Sequence, residues 1–127
     1  MQDFRKLIVW DKAQELTLRI YKATQKFPTS EKFGLIAQMR SASSSMGANI
    51  AEGCGRGSNK EFLRYLHIAI GSAFEIENHI VLAGRLKYLD NEEASMMVED
   101  VIELKRMLSG LMRKVKGASS DKQKKRA

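Results

Sequence analysis

Residues 45–75 read SMGANIAEGCGRGSNKEFLRYLHIAIGSAFE, and this stretch decides the fold. It contains in order the end of one helix, a glycine-rich turn, a capped helix start and a pair of small residues. Ser58 is a preferred N-cap residue, and Glu61 three positions later completes a capping box, in which each side chain satisfies a backbone donor of the other. The stretch predicts two helices joined by a tight turn, and it lacks the residue set of a catalytic site.

Apolar spacing of three and four residues continues on both sides of this stretch and predicts four helices in all. The first is expected at about residues 7–26, because Pro28 disfavours helical geometry in the residue before it. The third begins at the Ser58 cap. The fourth follows Asp90 and Glu93, which repeat the capping-box spacing.

The second helix is expected to begin at Thr29 or Ser30 as N-cap, where Glu31 would lie favourably at the positive end of the helix. It is expected to end where glycines interrupt the pattern, since glycine commonly terminates helices. These glycines are Gly53, Gly55 and Gly57.

Each predicted helix carries a row of mainly apolar residues that would face a common core. The rows are Trp10, Ala13, Leu16, Ile20 and Thr24; Ile36, Met39, Ser43, Met46 and Ile50; Phe62, Leu66, Ala69, Ala73, Ile76 and Ile80; and Ala94, Met97, Val101, Leu104, Leu108, Leu111 and Val115. The third helix has a second row, Leu63, Ile70, Phe74 and Val81. The pattern predicts an all-α, antiparallel up-and-down four-helix bundle that oligomerises through this second row.

The positive charge of the chain is concentrated at its C-terminus. The formal net charge is +7, and residues 113–127 hold seven basic residues and one acidic residue, against 15 basic and 14 acidic elsewhere. Residues 117–127 have few apolar groups and suit a disordered basic tail. The 127 residues correspond to one domain, with the bundle at 1–116.

Targeting signals and metal motifs are lacking in the sequence. No apolar stretch resembles a signal peptide or a membrane span, so a cytoplasmic location is expected and no membrane partner. Cys54 is the only cysteine, which suggests an inert reduced thiol. Di-iron bundles need Glu-x-x-His, whereas His67 and His79 follow Arg64 and Ile76 at that offset. We therefore expect no enzymatic activity, no metal and no cofactor.

A group of basic residues at the start of the third helix favours nucleic acid. Arg56, Lys60, Arg64 and His67 lie at four- and three-residue spacing beside a helix N-terminus, where phosphate binds readily. The tail would add Lys122, Lys124, Lys125 and Arg126. The alternative interpretation is a solvated face. Because no base-reading motif is present, binding would depend on backbone charge and shape.

The residues also resemble a known family. The resemblance rests on Val9-Trp10 with Ala13, Phe27-Pro28 with Glu31, Phe33-Gly34-Leu35, Gln38, Arg40, Asn49-Ile50-Ala51-Glu52-Gly53, Gly55-Arg56, Glu61-Phe62, Ile68-Ala69, Gly71-Ser72 and Glu75. They are similar to the bacterial four-helix-bundle proteins encoded by intervening sequences in 23S ribosomal RNA genes, and to the related accessory variability determinants of diversity-generating retroelements. Gly47 departs from the pattern, since relatives usually carry proline there, and Cys54 stands where an aromatic residue is frequent.

The resemblance implies a four-helix bundle that self-associates into a ring, most plausibly a pentamer, without enzymatic activity. In the retroelement branch it implies a basic oligomer that binds a reverse transcriptase and nucleic acid. In the ribosomal-gene branch, to which this chain is closer, association with RNA is expected.

For several residues of the shared motif, a structural role is favoured over ligand binding. They are Arg40, Asn49, Glu52, Gly53, Ser58, Glu61, Gly71, Ser72 and Glu75. Polar groups near helix seams usually form interhelical hydrogen bonds or caps, and ligand binding is the alternative. Gly71 and Ser72 would let a neighbouring backbone approach closely. A regular ion pair between Glu52 and Arg56 is not expected, because glycines intervene.

The sequence thus predicts a non-enzymatic homo-oligomer that binds nucleic acid, with RNA favoured, at low sequence specificity. One alternative is a protein-binding scaffold, such as a reverse-transcriptase accessory factor. The other is a structural oligomer with no affinity for nucleic acid.

Overall fold

The structure is a computed structural model and describes the backbone of residues 3–126 and the side chains of residues 3–118. Within that part of the chain it has four α-helices, two short 3-10 helices and no strand. The α-helices are α1 (Ile8–Thr24), α2 (Leu35–Gly55), α3 (Asn59–Arg85) and α4 (Asn91–Arg126), and the 3-10 helices are Phe4–Lys6 and Thr29–Glu31. The predicted all-α class and the predicted number of helices are confirmed.

The start of α2 differs from the prediction. Thr29 and Ser30 do not cap it, because they form the 3-10 turn after Pro28, and the helix begins only at Leu35. An Oε1 atom of Glu31 accepts a 3.3 Å hydrogen bond from the backbone N–H of Leu35. The Glu31 carboxylate therefore does accept a free N–H at the positive end of α2, although Glu31 lies four residues before Leu35 and outside the helix.

The turn between α2 and α3 contains the predicted cap. Ser58 Oγ accepts a 3.2 Å hydrogen bond from the N–H of Glu61, which satisfies one of the free donors at the start of α3. α2 continues through Gly53 and ends at Gly55, within the glycine stretch predicted to end it. Gly57 makes the turn, with a φ of +81° that favours glycine.

The core contains most of the predicted rows. On α3 the whole row from Phe62 to Ile80 is buried, and on α2 Met39, Met46 and Ile50 are fully enclosed. The buried polar residues also have partners, since Thr24 Oγ1 donates to the carbonyl of Ile20 at 2.7 Å. Trp10 and Ile36 are only half-buried. The core therefore forms from the predicted faces of all four helices.

Each helix contacts its neighbours in chain order, and α4 closes the arrangement by contacting α1. The α2–α3 contact is close because Gly53 has no side chain: a Cβ there would lie 2.9 Å from the Cβ of Tyr65 and 3.0 Å from Cδ1 of Phe62. Near the middle of the same contact, the hydroxyls of Ser45 and Ser72 are 2.9 Å apart.

The last helix is longer than the bundle predicted from the sequence. The structure continues α4 to Arg126, so the Gly117–Ser120 segment does not end it. The side chains of residues 119–127 lie outside the described residues, and the disorder predicted for the tail stays a prediction. No helix in the described part of the chain is long and apolar enough to cross a membrane.

Candidate nucleic-acid interface

A cleft of about 430 Å³ opens at the end of the bundle where α2 turns into α3. Three segments that are distant in sequence line it: Leu7 before α1, residues 57–59 in the turn, and Lys114 with its neighbours on α4. The fold thus brings the start of the chain, the glycine-rich turn and the basic part of α4 together. We call residues 3–7, 52–64 and 111–118 the basic end.

The basic end carries eight basic and three acidic side chains, an excess of five. The basic residues are Arg5, Lys6, Arg56, Lys60, Arg64, Arg113, Lys114 and Lys116, and the acidic residues are Asp3, Glu52 and Glu61. Each carboxylate pairs with an arginine of the same end: Asp3 with Arg5, Glu52 with Arg56 and Glu61 with Arg64. The remaining five cations have no ion-pair partner among the described side chains.

Arg56 belongs to a three-residue network. Its Nη2 atom lies 2.8 Å from Oε1 of Glu52 and donates a 2.6 Å hydrogen bond to the hydroxyl of Tyr65. That hydroxyl in turn donates to Oε1 of Glu52 at 3.3 Å. The expectation that intervening glycines prevent a regular Glu52–Arg56 pair is wrong, because α2 stays helical through Gly53. Hydrogen bonds to Glu52 and Tyr65 raise the pKa of Arg56.

Arg64 lies against the ring of the same tyrosine. Its guanidinium carbon is 4.6 Å from the centroid of the Tyr65 ring, and that of Arg56 is 5.1 Å from it. Nε of Arg64 donates a 2.9 Å hydrogen bond to Glu61, which lowers the pKa of that carboxyl group. Glu61 therefore turns toward Arg64, and no return bond from the backbone of Ser58 completes the predicted capping box.

Both arginines can still bind an anion. The side chain of Arg56 is 45% exposed and that of Arg64 is 56% exposed. A guanidinium has five N–H donors, and the contacts described above use only part of them. Tyr65 therefore holds two partly exposed arginines in fixed positions, which lowers the entropy lost when they bind phosphate.

The other predicted binding residues fall into two groups. Lys60 and His67 are exposed on α3 with Arg64, as the spacing predicts. Lys122, Lys124, Lys125 and Arg126 have side chains outside the described residues. Sequence reasoning missed Tyr65 as well as Arg5 and Lys6. Their proximity to the turn depends on helix packing, which local spacing does not encode.

Most motif residues form structural hydrogen bonds. Nε of Arg40 donates to Oγ1 of Thr24 at 2.9 Å, which links α2 to α1. Nδ2 of Asn49 donates to the carbonyl of Ser45 at 2.8 Å, within α2. These contacts agree with the structural interpretation. Gly71 differs, because a Cβ at this position would meet no described atom within 4 Å, so none of the described residues uses it for close approach.

The predicted interface row divides in two. Leu63 and Ile70 are half-buried against the core, whereas Phe74 is 59% exposed and Val81 is 41% exposed. Nζ of Lys105 lies 4.1 Å from the centroid of the Phe74 ring. Within this row, the exposed apolar surface is therefore that of Phe74 and Val81.

The residues that could support chemistry are dispersed in the described part of the chain. No group of three or more metal-ligating side chains occurs there. Nε2 of His79 lies 3.3 Å from Oε2 of Glu75, the contact expected at four-residue spacing. Cys54 is buried, and burial raises the pKa of its thiol, which disfavours the nucleophilic thiolate.

A family model described as 23S rRNA-intervening sequence protein matches residues 5–110, which include α1, α2, α3, the glycine-rich turn and the part of α4 up to Gly110. The chain belongs to this family. No curated protein matches it. Among solved structures, it is similar to a protein of unknown function of the S23 ribosomal protein family from Bacteroides thetaiotaomicron. The sequences are 27% identical, with a TM-score of 0.76 over 84% of this chain and 96% of the other. The match to the intervening-sequence family thus covers most of the bundle and the whole glycine-rich turn.

Proposed function

We propose that this member of the 23S rRNA-intervening sequence family is a non-enzymatic, cytoplasmic homo-oligomer that binds RNA through its basic end. The observation that carries the proposal is the excess of five positive charges at the basic end, where Lys114 lines the cleft. The predicted tail would extend this positive surface, because α4 continues from the basic end to Arg126.

Phosphate groups are the chemistry that this surface suits best. Neutralising phosphates releases condensed counterions, which supplies most of the affinity of non-specific nucleic-acid binding. Arg56 and Arg64 would each present planar N–H donors, and Lys60 and Lys114 would add point charges. Contacts of this kind do not read bases, so low sequence specificity follows.

An antiparallel arrangement of the helices is part of the proposal. On α2, Ser45 pairs with Ser72 and Glu52 pairs with Tyr65. A step of seven residues forward on α2 therefore corresponds to seven residues backward on α3, as antiparallel helices require. The short turns between successive helices support the same arrangement.

Self-association is the second part of the proposal and rests on exposed apolar side chains. Phe74, Val81 and Ile102 of α3 and α4 are at least 40% exposed, and apolar surface of this kind often marks an interface. A ring, most plausibly a pentamer, would repeat the basic end once per subunit. Repetition converts weak individual contacts into avidity for a long RNA.

A protein-binding scaffold is the second candidate function. Phe33 is 88% exposed and lies before α2, at the end of the bundle away from the glycine-rich turn. An aromatic ring at such exposure suits a contact with another protein, for which a reverse transcriptase is the example drawn from the family resemblance. The third candidate function is that of a structural oligomer without affinity for RNA.

A paired charge reversal tests which end binds RNA. We expect Lys60→Glu with Arg64→Glu to weaken an RNA gel shift, because the changes reverse charge at the basic end. Lys26→Glu with Lys32→Glu makes the same charge change at the opposite end of α1 and α2 and serves as control. Equal weakening by both pairs, at unchanged helicity, would contradict binding at the basic end.

A further inference from the structure

The cleft at the basic end has walls of two kinds. Leu7, Phe62, Leu111 and Val115 supply apolar surface, while Asn59 and Lys114 supply polar groups at the same opening. Its volume of about 430 Å³ lies within the range of roughly 300–1,000 Å³ found for pockets that hold small molecules. A site with both surfaces suits a ligand that is flat and apolar on its faces but polar and charged at its edges.

The polar groups match a nucleotide in particular. The side chain of Asn59 forms no hydrogen bond with another described residue, and its amide offers both a donor and an acceptor to a base edge. Lys114 supplies a cation for the adjoining phosphate. Phe62 is 8% exposed, so the apolar surface open to a base comes mainly from Leu7 and Leu111, which are half-buried.

We propose that the cleft receives one unpaired nucleotide of the bound RNA strand, with the base between the apolar walls and the phosphate near Lys114. This inference rests on the proposed RNA binding. It implies that the protein binds single-stranded segments of RNA in preference to paired ones. Bases are available for insertion only where they are unpaired. Packing against apolar walls, beside an amide that offers both a donor and an acceptor, tolerates any base. The low sequence specificity is therefore retained.

The test compares two labelled single strands of equal length and charge, one intact and one with abasic positions. We expect wild-type protein to bind the abasic strand about tenfold more weakly, the loss typical of one stacked base. Ala118→Trp should fill the cleft from an exposed position and weaken binding of the intact strand by about the same factor. Ala37→Trp, at an exposed site on α2 far from the turn, is the matched control and should bind as wild type.

The outcomes separate this inference from the function on which it rests. Equal, salt-sensitive affinity of wild-type protein for the intact and abasic strands would overturn the nucleotide site but leave RNA binding in place. An Ala118→Trp variant that still prefers the intact strand tenfold would also overturn it. If wild-type protein binds neither strand at low salt, the proposed function fails, and the inference fails with it.

Discussion

The hydroxyl of Tyr65 accepts a 2.6 Å hydrogen bond from Nη2 of Arg56, which joins the residue that follows α2 to the second turn of α3. Tyr65 is buried at 7% exposure, and the guanidinium groups of Arg56 and Arg64 lie against its ring. The bond therefore couples the packing of two helices to the position of a cation at the proposed RNA surface.

Tyr65→Phe keeps the ring and removes the hydroxyl. We expect the free energy of unfolding to fall by about 0.5–1.5 kcal/mol, the usual net value of one hydrogen bond. RNA affinity should fall as well, because Arg56 loses the partner that orients it. Denaturant titration and gel shift measure the two effects.

Tyr88→Phe is the matched control, since the Tyr88 hydroxyl donates a 3.1 Å bond to Oε2 of Glu31 at the opposite end. It should lower stability to a similar degree and leave RNA affinity unchanged. Equal losses of affinity in the two variants would mean that Tyr65 acts only through general stability.

Gly53→Ala places a methyl group where no space exists. Its Cβ would lie 2.9 Å from that of Tyr65, so α2 and α3 must separate, and we expect a loss of about 1–3 kcal/mol in unfolding free energy. Gly71→Ala is the comparison, because a Cβ there meets nothing within 4 Å. It should stabilise the folded chain by about 0.5–1 kcal/mol through higher helix propensity.

The outcome at Gly71 also bears on assembly. If Gly71→Ala dissociates an oligomer that Gly53→Ala leaves intact, the open side of Gly71 contacts another subunit. Thermal melting and light scattering on both variants distinguish these cases. A stabilising Gly53→Ala would contradict the close α2–α3 packing.

The sequence predicts the features of this fold that depend on local spacing. Ser58 caps α3 as expected, and the row from Phe62 to Ile80 is buried, because capping preference and helical period act within a few residues. The second half of the Ser58 capping box does not form, since Arg64 one turn later competes for the Glu61 carboxylate. The contact of Arg56 with Tyr65 was not predictable from local spacing, because it forms only when α2 packs on α3.

Glycine explains two further differences between sequence and structure. Gly53 remains helical because α2 packs closely on α3 at this position, and tertiary contact overrides its low helix propensity, whereas α2 ends at Gly55 as glycine favours. Conversely, α2 starts at Leu35 and not at Ser30, because a 3-10 turn follows Pro28. The candidate site was predictable as a charge pattern, but its cleft arises only when three distant segments meet.

Ser58→Ala removes the hydroxyl that accepts the N–H of Glu61. We expect a loss of about 0.5–2 kcal/mol in unfolding free energy, the usual cost of an N-cap. RNA binding should be retained although Ser58 lines the cleft, because its hydroxyl is used by the N–H of Glu61. Ser44→Ala is the control, since Ser44 is exposed inside α2 and bonds only to the carbonyl of Ser41. An unchanged melting temperature with abolished RNA binding in Ser58→Ala would show that Ser58 contacts the ligand.

Phe74→Asp tests self-association. A charge at this 59% exposed position should dissociate the oligomer or cause aggregation, because an unpaired carboxylate is costly to bury between subunits. Phe33→Asp makes the same change at a more exposed ring and should leave assembly intact. Light scattering reports both, and a wild-type protein that is a monodisperse monomer at micromolar concentration would remove the premise.

The salt dependence of RNA affinity tests the central claim most directly. Fluorescence anisotropy at several salt concentrations should give a log Kd that rises linearly with log salt, alike for unrelated RNA sequences. Deletion of residues 117–127 should flatten the slope by about 0.7 for each phosphate of a single strand that the protein no longer neutralises, and Lys60→Glu with Arg64→Glu should flatten it further. Absence of salt-sensitive binding by the wild-type protein, even at low salt, would contradict RNA binding at the basic end and favour the protein-binding scaffold.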